Sequence, residues 1–142
     1  MISRRSVRIK VMQTLYALNC DDDLTFKQAN RSYWNSIDNS YNLLLFNLFV
    51  LERITSMAPE DGEKRKGKHL PSEVDKVFTP KLYSNELIQS LVNSNPLQKE
   101  FEKLNFSEKV DVDLFKKMYK GFCKEDSYKD YIMNEEGNNL DV

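Results

Sequence analysis

Hydrophobic residues recur every three or four positions along most of the chain, which is the spacing of amphipathic helices. The first helix is predicted from about Ser3 to Asn19, with Ser3 as a possible N-cap. One apolar stripe on it comprises Val7, Val11, Leu15 and Leu18. A second stripe, about half a turn away, comprises Ile9, Met12 and Tyr16. We therefore expect the second half of this helix to be sandwiched between other helices and its basic first turns to protrude.

A second and much longer helix is predicted after the acidic turn at residues 21–23. It begins near Thr25 and can reach Met57. Its second half carries apolar residues on nearly all sides, which is typical of a buried helix. We expect this half to form the core, with Asn47 as a hydrogen-bonded core amide or a small polar window.

The helical pattern ends at Ala58-Pro59. Residues 60–68 are charged and contain two glycines, which indicates a solvated loop or a frayed helical extension. Residues 69–83 have little periodicity and predict a long connection that lies across the bundle. The apolar side chains expected to hold it there are Leu70, Val74, Val77, Phe78, Leu82 and Tyr83.

Four shorter helices follow in the prediction. The first begins near Ser84 or Asn85, and the second has Pro96 at its first position, where the missing N–H costs nothing. The third runs from about Asp111 to Cys123, and its inward side chains are expected to be Val112, Phe115, Met118, Tyr119 and Phe122. A short last helix is capped by Ser127.

These elements predict an all-α fold, a helical bundle of about five to six helices with one long core helix and a long loop. Only four glycines and four prolines occur in 142 residues, which also favours helices over the tight turns of β proteins. The predicted organisation is one helical domain over residues 1–133, followed by a polar, acidic tail at residues 134–142.

Charge is distributed unevenly along this nearly neutral chain. Arg4, Arg5, Arg8 and Lys10 precede the first acidic residue, Asp21. The other 17 basic residues stand against all 22 acidic ones, and the net charge is −1. Attraction for nucleic acid must therefore be local, and the compact cationic helix end is a plausible docking point for a phosphate backbone. The plainer reading, a solvated basic terminus, stays open.

Catalytic and metal-binding patterns are missing from the sequence. His69 is the only histidine, and Cys20 and Cys123 have neither metal-ligand spacing nor a disulfide framework. No glycine-rich phosphate loop is present. We therefore expect neither an enzyme nor a cofactor. The longest apolar run, Leu43 to Leu51, is about half of a membrane span, so a cytoplasmic protein is expected.

The first helix resembles the opening helix of the NusB family of bacterial transcription antitermination factors. The matching string is Arg4-Arg5-x-x-Arg8-x-x-Val11-Met12-Gln13-x-Leu15-Tyr16-Ala17. Lys68-His69-Leu70-Pro71 and the apolar run at residues 43–51 resemble the N-terminal half of long NusB-like proteins of the Bacteroidetes type. The Asn-x-Val-Leu type signature that ends the family's second bundle is absent, so the resemblance is to the N-terminal portion of such a protein.

The resemblance implies an all-helical protein that binds single-stranded, boxA-type RNA. It would act with NusE, a small-subunit ribosomal protein, to keep RNA polymerase elongating through ribosomal RNA operons. Arg4, Arg5 and Arg8 would contact RNA, while Gln13 and Tyr16 match by position. Lys10 completes the predicted RNA-binding set. The alternative is a NusB-derived helical module that contacts proteins and does not itself bind RNA.

Overall fold

A computed structural model describes residues 3–133, with Val74 described for its backbone alone. The described part of the chain has ten helical segments and no strand, which confirms the all-α prediction. The predicted count of five to six helices is wrong, since eight segments are longer than four residues. The segments are α1 Arg4–Cys20, α2 Phe26–Thr55, α3 Ala58–Lys66, α4 Glu73–Val77, α5 Lys81–Ser84, α6 Glu86–Val92, α7 Asn95–Lys103, α8 Phe106–Lys109, α9 Val112–Phe122 and α10 Asp126–Met133.

The chain divides into two compact units, Met1–Asn47 and Leu48–Val142. The first unit contains α1 and the first part of α2, and the second contains the rest of α2 and all later helices. The predicted tail at residues 134–142 lies outside the described residues. Within residues 3–133, no helix is both long enough and apolar enough to cross a membrane.

In the first unit, polar side chains set where the two helices begin. The Ser3 hydroxyl accepts a hydrogen bond from the Ser6 amide at 3.1 Å, so Ser3 is the predicted N-cap of α1. Asp21 ends α1, and its carboxylate accepts from the Asp23 amide in the turn. Thr25 then caps α2 with Gln28, each side chain accepting from the other residue's amide.

Helix α1 is far less buried than its two apolar stripes suggest. None of its residues is buried, and Met12 and Tyr16 are 69% and 71% exposed. The expectation that its second half is sandwiched between helices is therefore wrong. Of the two apolar stripes, the one that includes Val11, Leu15 and Leu18 meets α2, where it lines a shallow hollow with Phe26 and other side chains of α2.

Helix α2 confirms the predicted long helix but not its predicted burial. Its inward side chains include Leu45 and Phe49, whereas Leu43, Leu44 and Leu51 are exposed. Asn47 is also exposed, so the expected core amide is wrong. Burial follows one face of the helix because apolar residues beyond that face exceed what its neighbours can cover.

Four phenylalanines form one cluster in the core of the second unit. The ring of Phe49 lies 5.5 Å from that of Phe101, 5.7 Å from that of Phe106 and 6.1 Å from that of Phe115, measured between centroids. They come from α2, α7, α8 and α9, so a single cluster joins four helices. Tilted and edge-on ring pairs of this kind stabilise a core beyond the area that they bury.

Helix α3, at residues 58–66, covers most of the segment 60–68, for which the sequence indicated a loop or a frayed helical extension. Pro59 lies in its first turn, which needs no N–H from that residue. Acidic residues Glu60 and Asp61 follow in the same turn and basic residues occupy the last turn, as the helix dipole favours. The charged composition that suggested a loop therefore matches the polarity of a helix.

Residues 69–83 are not the predicted uninterrupted connection. They contain α4, which Ser72 and Asp75 begin with a capping box, and the start of α5. Phe78 is buried as expected, but Leu70 is 92% exposed and Val77 is half exposed. Leu70 and Val77 therefore do not hold the segment in place.

The C-terminal helices broadly match the prediction in position. Asn85 and Asp111 cap α6 and α9 with their side chains. Helix α10 begins at Asp126, so Ser127 is inside it and is not the cap. On α9 only two of the five predicted inward residues, Phe115 and Tyr119, are buried. The others are exposed, namely Val112, Met118 and Phe122.

Candidate nucleic-acid interface on helix α1

Three arginines share one face of α1. With about 3.6 residues per turn, Arg8 lies one turn beyond both Arg4 and Arg5. All three side chains are exposed. None of them forms an ion pair or hydrogen bond with another residue in the described part of the chain. Their guanidinium groups are therefore available to a ligand.

The arginine face continues toward the middle of α1 as exposed apolar surface. Met12 lies one turn beyond Arg8, and Tyr16 lies one turn beyond Met12. A stripe of guanidinium groups followed by an exposed aromatic ring can neutralise phosphates and stack on bases. We call Arg4, Arg5, Arg8, Met12 and Tyr16 the arginine stripe.

Lys10 and Gln13 lie apart from the arginine stripe. They line a hollow of about 220 Å³ with Thr14 and Ala17 of α1 and with Ser32 and other residues preceding and within α2. Lys10 is only partly exposed. The six predicted RNA-binding residues therefore divide into four on the arginine stripe and two on another side of the helix.

The electrostatics of α1 are unusual for a helix start. Its first turn has no acidic residue, and positive side chains there oppose the helix dipole. The helix contains no acidic residue at all, since Asp21 is its C-cap. A polyanion that approached the start of α1 would meet positive charge from both the side chains and the backbone.

The side chains of residues 3–133 that could act as metal ligands do not cluster. No group of three His, Cys, Asp or Glu side chains there could hold a metal ion. His69 is exposed. Cys123 is partly buried, and burial raises the pKa of its thiol, so the thiolate that nucleophilic chemistry requires is disfavoured.

The sequence reasoning missed a polar network in the second unit. Asp75 accepts hydrogen bonds from Lys68 at 2.9 Å and from Arg65 at 3.0 Å, and Ser72 donates to it as well. The hydrogen bonds from Lys68 and Ser72 hold the pKa of the Asp75 carboxyl well below its usual range.

Arg65 links this network to α9. Its Nε donates to Asp61 at 2.7 Å, and Asp61 also accepts from the Tyr119 hydroxyl at 3.2 Å. Desolvation opposes the charge on Arg65, but the Asp61 carboxylate raises its pKa. Burial raises the pKa of Tyr119, which keeps its hydroxyl a donor. The capping pattern Ser72-x-x-Asp75 was the one signal in the sequence for this network.

Comparisons of the chain with protein-family models, with curated proteins and with solved structures find no match. The likeness to the NusB family therefore rests on the residues quoted from the sequence alone.

Proposed function

We propose that the protein binds single-stranded RNA through the arginine stripe of α1 and acts as a NusB-like transcription antitermination factor together with NusE. The observation that carries the proposal is the exposure of three arginines on one helix face without an ion-pair partner in residues 3–133. The Ser3 cap supports it, because a capped helix start holds these side chains in a defined order.

Arginine suits this role better than lysine. Its planar guanidinium pairs with two phosphate oxygens at once and can stack on a base. Tyr16 adds an exposed ring about three turns from Arg5 on the same face. Together these groups supply the phosphate contacts and the stacking surface typical of single-strand recognition.

The alternative, a NusB-derived module that contacts a protein and not RNA, is favoured by a different observation. Met12, Leu15 and Phe26 are strongly exposed in the first unit. Exposed apolar surface next to positive charge also fits an acidic, partly apolar protein surface. The two functions differ in their dependence on RNA, which can be measured directly.

The test is fluorescence anisotropy with a short boxA-like RNA at two salt concentrations. We expect replacement of Arg4, Arg5 and Arg8 by Ala to weaken binding at least about tenfold. The salt dependence should also fall, by about 0.7 in log–log slope for each phosphate that the variant no longer neutralises. Replacement of the same residues by Lys should restore charge but only part of the affinity.

A matched control removes three lysines from the second unit, Lys66, Lys99 and Lys117. It changes net charge equally and should leave RNA affinity unchanged. RNA binding that survives in the arginine variant would contradict the proposal, and no RNA binding by the native chain at low salt would favour the protein-contact module.

A further inference from the structure

A groove of about 750 Å³ lies between α3 and α9, entirely within the second unit. This volume is within the range of pockets that hold small ligands and cofactors. The α3 side and the residue before it contribute Met57, Glu60, Asp61, Lys64 and Arg65. The α9 side and the residues after it contribute Val112, Lys116, Tyr119, Lys120, Cys123 and Lys124.

Positive charge predominates in this groove. Its lining has five basic and two acidic side chains. Both acids are already paired on α3, where Lys64 Nζ lies 2.6 Å from Glu60 Oε1 and Arg65 Nε lies 2.7 Å from Asp61 Oδ2. The excess charge is therefore on the α9 wall.

Three lysines line that wall. Lys116 and Lys120 are four residues apart on α9, or about 6 Å along the helix, and Lys124 follows four residues later in the turn after the helix. Lys116 contacts Asp113 at 3.0 Å. The ammonium groups of Lys120 and Lys124 have no ion-pair or hydrogen-bond partner among residues 3–133. Like charges at this spacing destabilise a free helix, and a bound anion would relieve that repulsion.

The floor of the groove is apolar and fixed. Tyr119 is 5% exposed, and its hydroxyl is held by the hydrogen bond to Asp61. Met57, Val112 and Cys123 complete the apolar part of the lining. A ligand that fits the groove therefore has an anionic group for the lysines and an organic part for the floor.

We propose that this groove binds a small phosphorylated ligand of about mononucleotide size. Its phosphate would contact Lys120 and Lys124, and its organic part would lie against Tyr119 and Val112. A phosphate group carries a charge between about −1.5 and −2 near neutral pH and offers three acceptor oxygens. It therefore matches two unpaired ammonium groups better than a single carboxylate does. This site is separate from the arginine stripe, so it adds to the proposed RNA-binding function.

Isothermal titration calorimetry of the native chain at low salt tests the proposal with pyrophosphate, AMP, ADP and adenosine. We expect at least one phosphorylated probe to bind with one-to-one stoichiometry, and adenosine to bind much more weakly. Replacing Lys120 and Lys124 by Ala should weaken the affinity for that probe at least about tenfold. Amide chemical shifts should change in α3 and α9.

Lys117→Ala is the matched control, because Lys117 is exposed on the same helix but does not line the groove. It should leave the affinity unchanged, and so should replacement of the three α1 arginines by Ala. Failure of every phosphorylated probe to bind would overturn the proposal. Equal loss of affinity in the Lys117 variant, equal affinity for adenosine, or RNA binding that depends on Lys120 and Lys124 without any binding of small probes would also overturn it.

Discussion

The exposed positive charge of the two units lies in different structural surroundings. The arginine stripe lies on a helix with no buried residue. The lysines of the α3–α9 groove flank a buried tyrosine, in a unit whose four core phenylalanines join four helices. The exposed charge therefore lies away from buried residues on α1, whereas in the second unit it lies beside them. The comparison indicates that substitutions of the α1 arginines change binding and local helix stability, whereas substitutions beneath the groove change the packed core as well.

Truncation of the central phenylalanine should give the largest effect. Phe49→Ala removes a ring that is 2% exposed and contacts three other rings. We expect a loss of about 3–5 kcal/mol in the free energy of unfolding, measured by urea denaturation. Leu15→Ala on α1 is the control and should cost well under about 1 kcal/mol because Leu15 is largely exposed. A similar loss of unfolding free energy in both variants would contradict the difference drawn between the two units.

A smaller effect is expected from the ionic network beside the groove. The pKa of Asp75 is lowered, so its ionised form stabilises the native state at pH values above its ordinary pKa. This contribution is lost as the pH falls through the lowered pKa. Asp75→Asn should therefore reduce the melting temperature at pH 7. In strong acid the melting temperatures of the variant and the native chain should become more nearly equal. Thermal melts over the range from neutral pH to strong acid measure this.

The same melts distinguish the two units. Asp38 is an acidic residue of the first unit without an ion-pair partner in residues 3–133, so Asp38→Asn should change the melting temperature at pH 7 very little. A constant difference between native chain and Asp75→Asn at all pH values would contradict the role given to Asp75.

The smallest effect concerns the start of α1. Ser3→Ala removes the side chain that accepts the Ser6 amide hydrogen bond and should cost about 1 kcal/mol locally. Hydrogen exchange of the first amides of α1 should become faster, while the second unit is unaffected. Ser3→Thr retains a capping hydroxyl and should exchange nearly as slowly as the native chain. Faster exchange throughout the second unit would show that the two units are not energetically separate.

The sequence predicted elements better than it predicted burial. Helix α2 was identified because its apolar periodicity continues over its 30 residues. The sequence does not distinguish α3 from a loop, because a proline such as Pro59 can mark a helix end or lie in a first turn. Exposure of Met12 and Tyr16 could not be predicted, since two apolar stripes on one helix do not specify which of them a neighbour covers.

The candidate sites were also predictable only in part. The helical period places the three arginines together and could have separated Lys10 from them. The lysines of the groove also had a visible signal, a repeat of four positions at residues 116, 120 and 124. That α3 forms the opposite wall depends on tertiary packing, and no local pattern in residues 57–65 indicates it.

If a polyanion binds the arginine stripe as proposed, the uncompensated start of α1 couples that binding to helix stability. In the free protein, Arg4, Arg5 and Arg8 repel each other and the positive end of the helix. A polyanion removes that repulsion when it binds. The relief of the repulsion therefore contributes to the free energy of binding. By thermodynamic linkage, the ligand must then protect α1 against fraying to the same extent. Recognition and ordering at this end of the protein are one equilibrium.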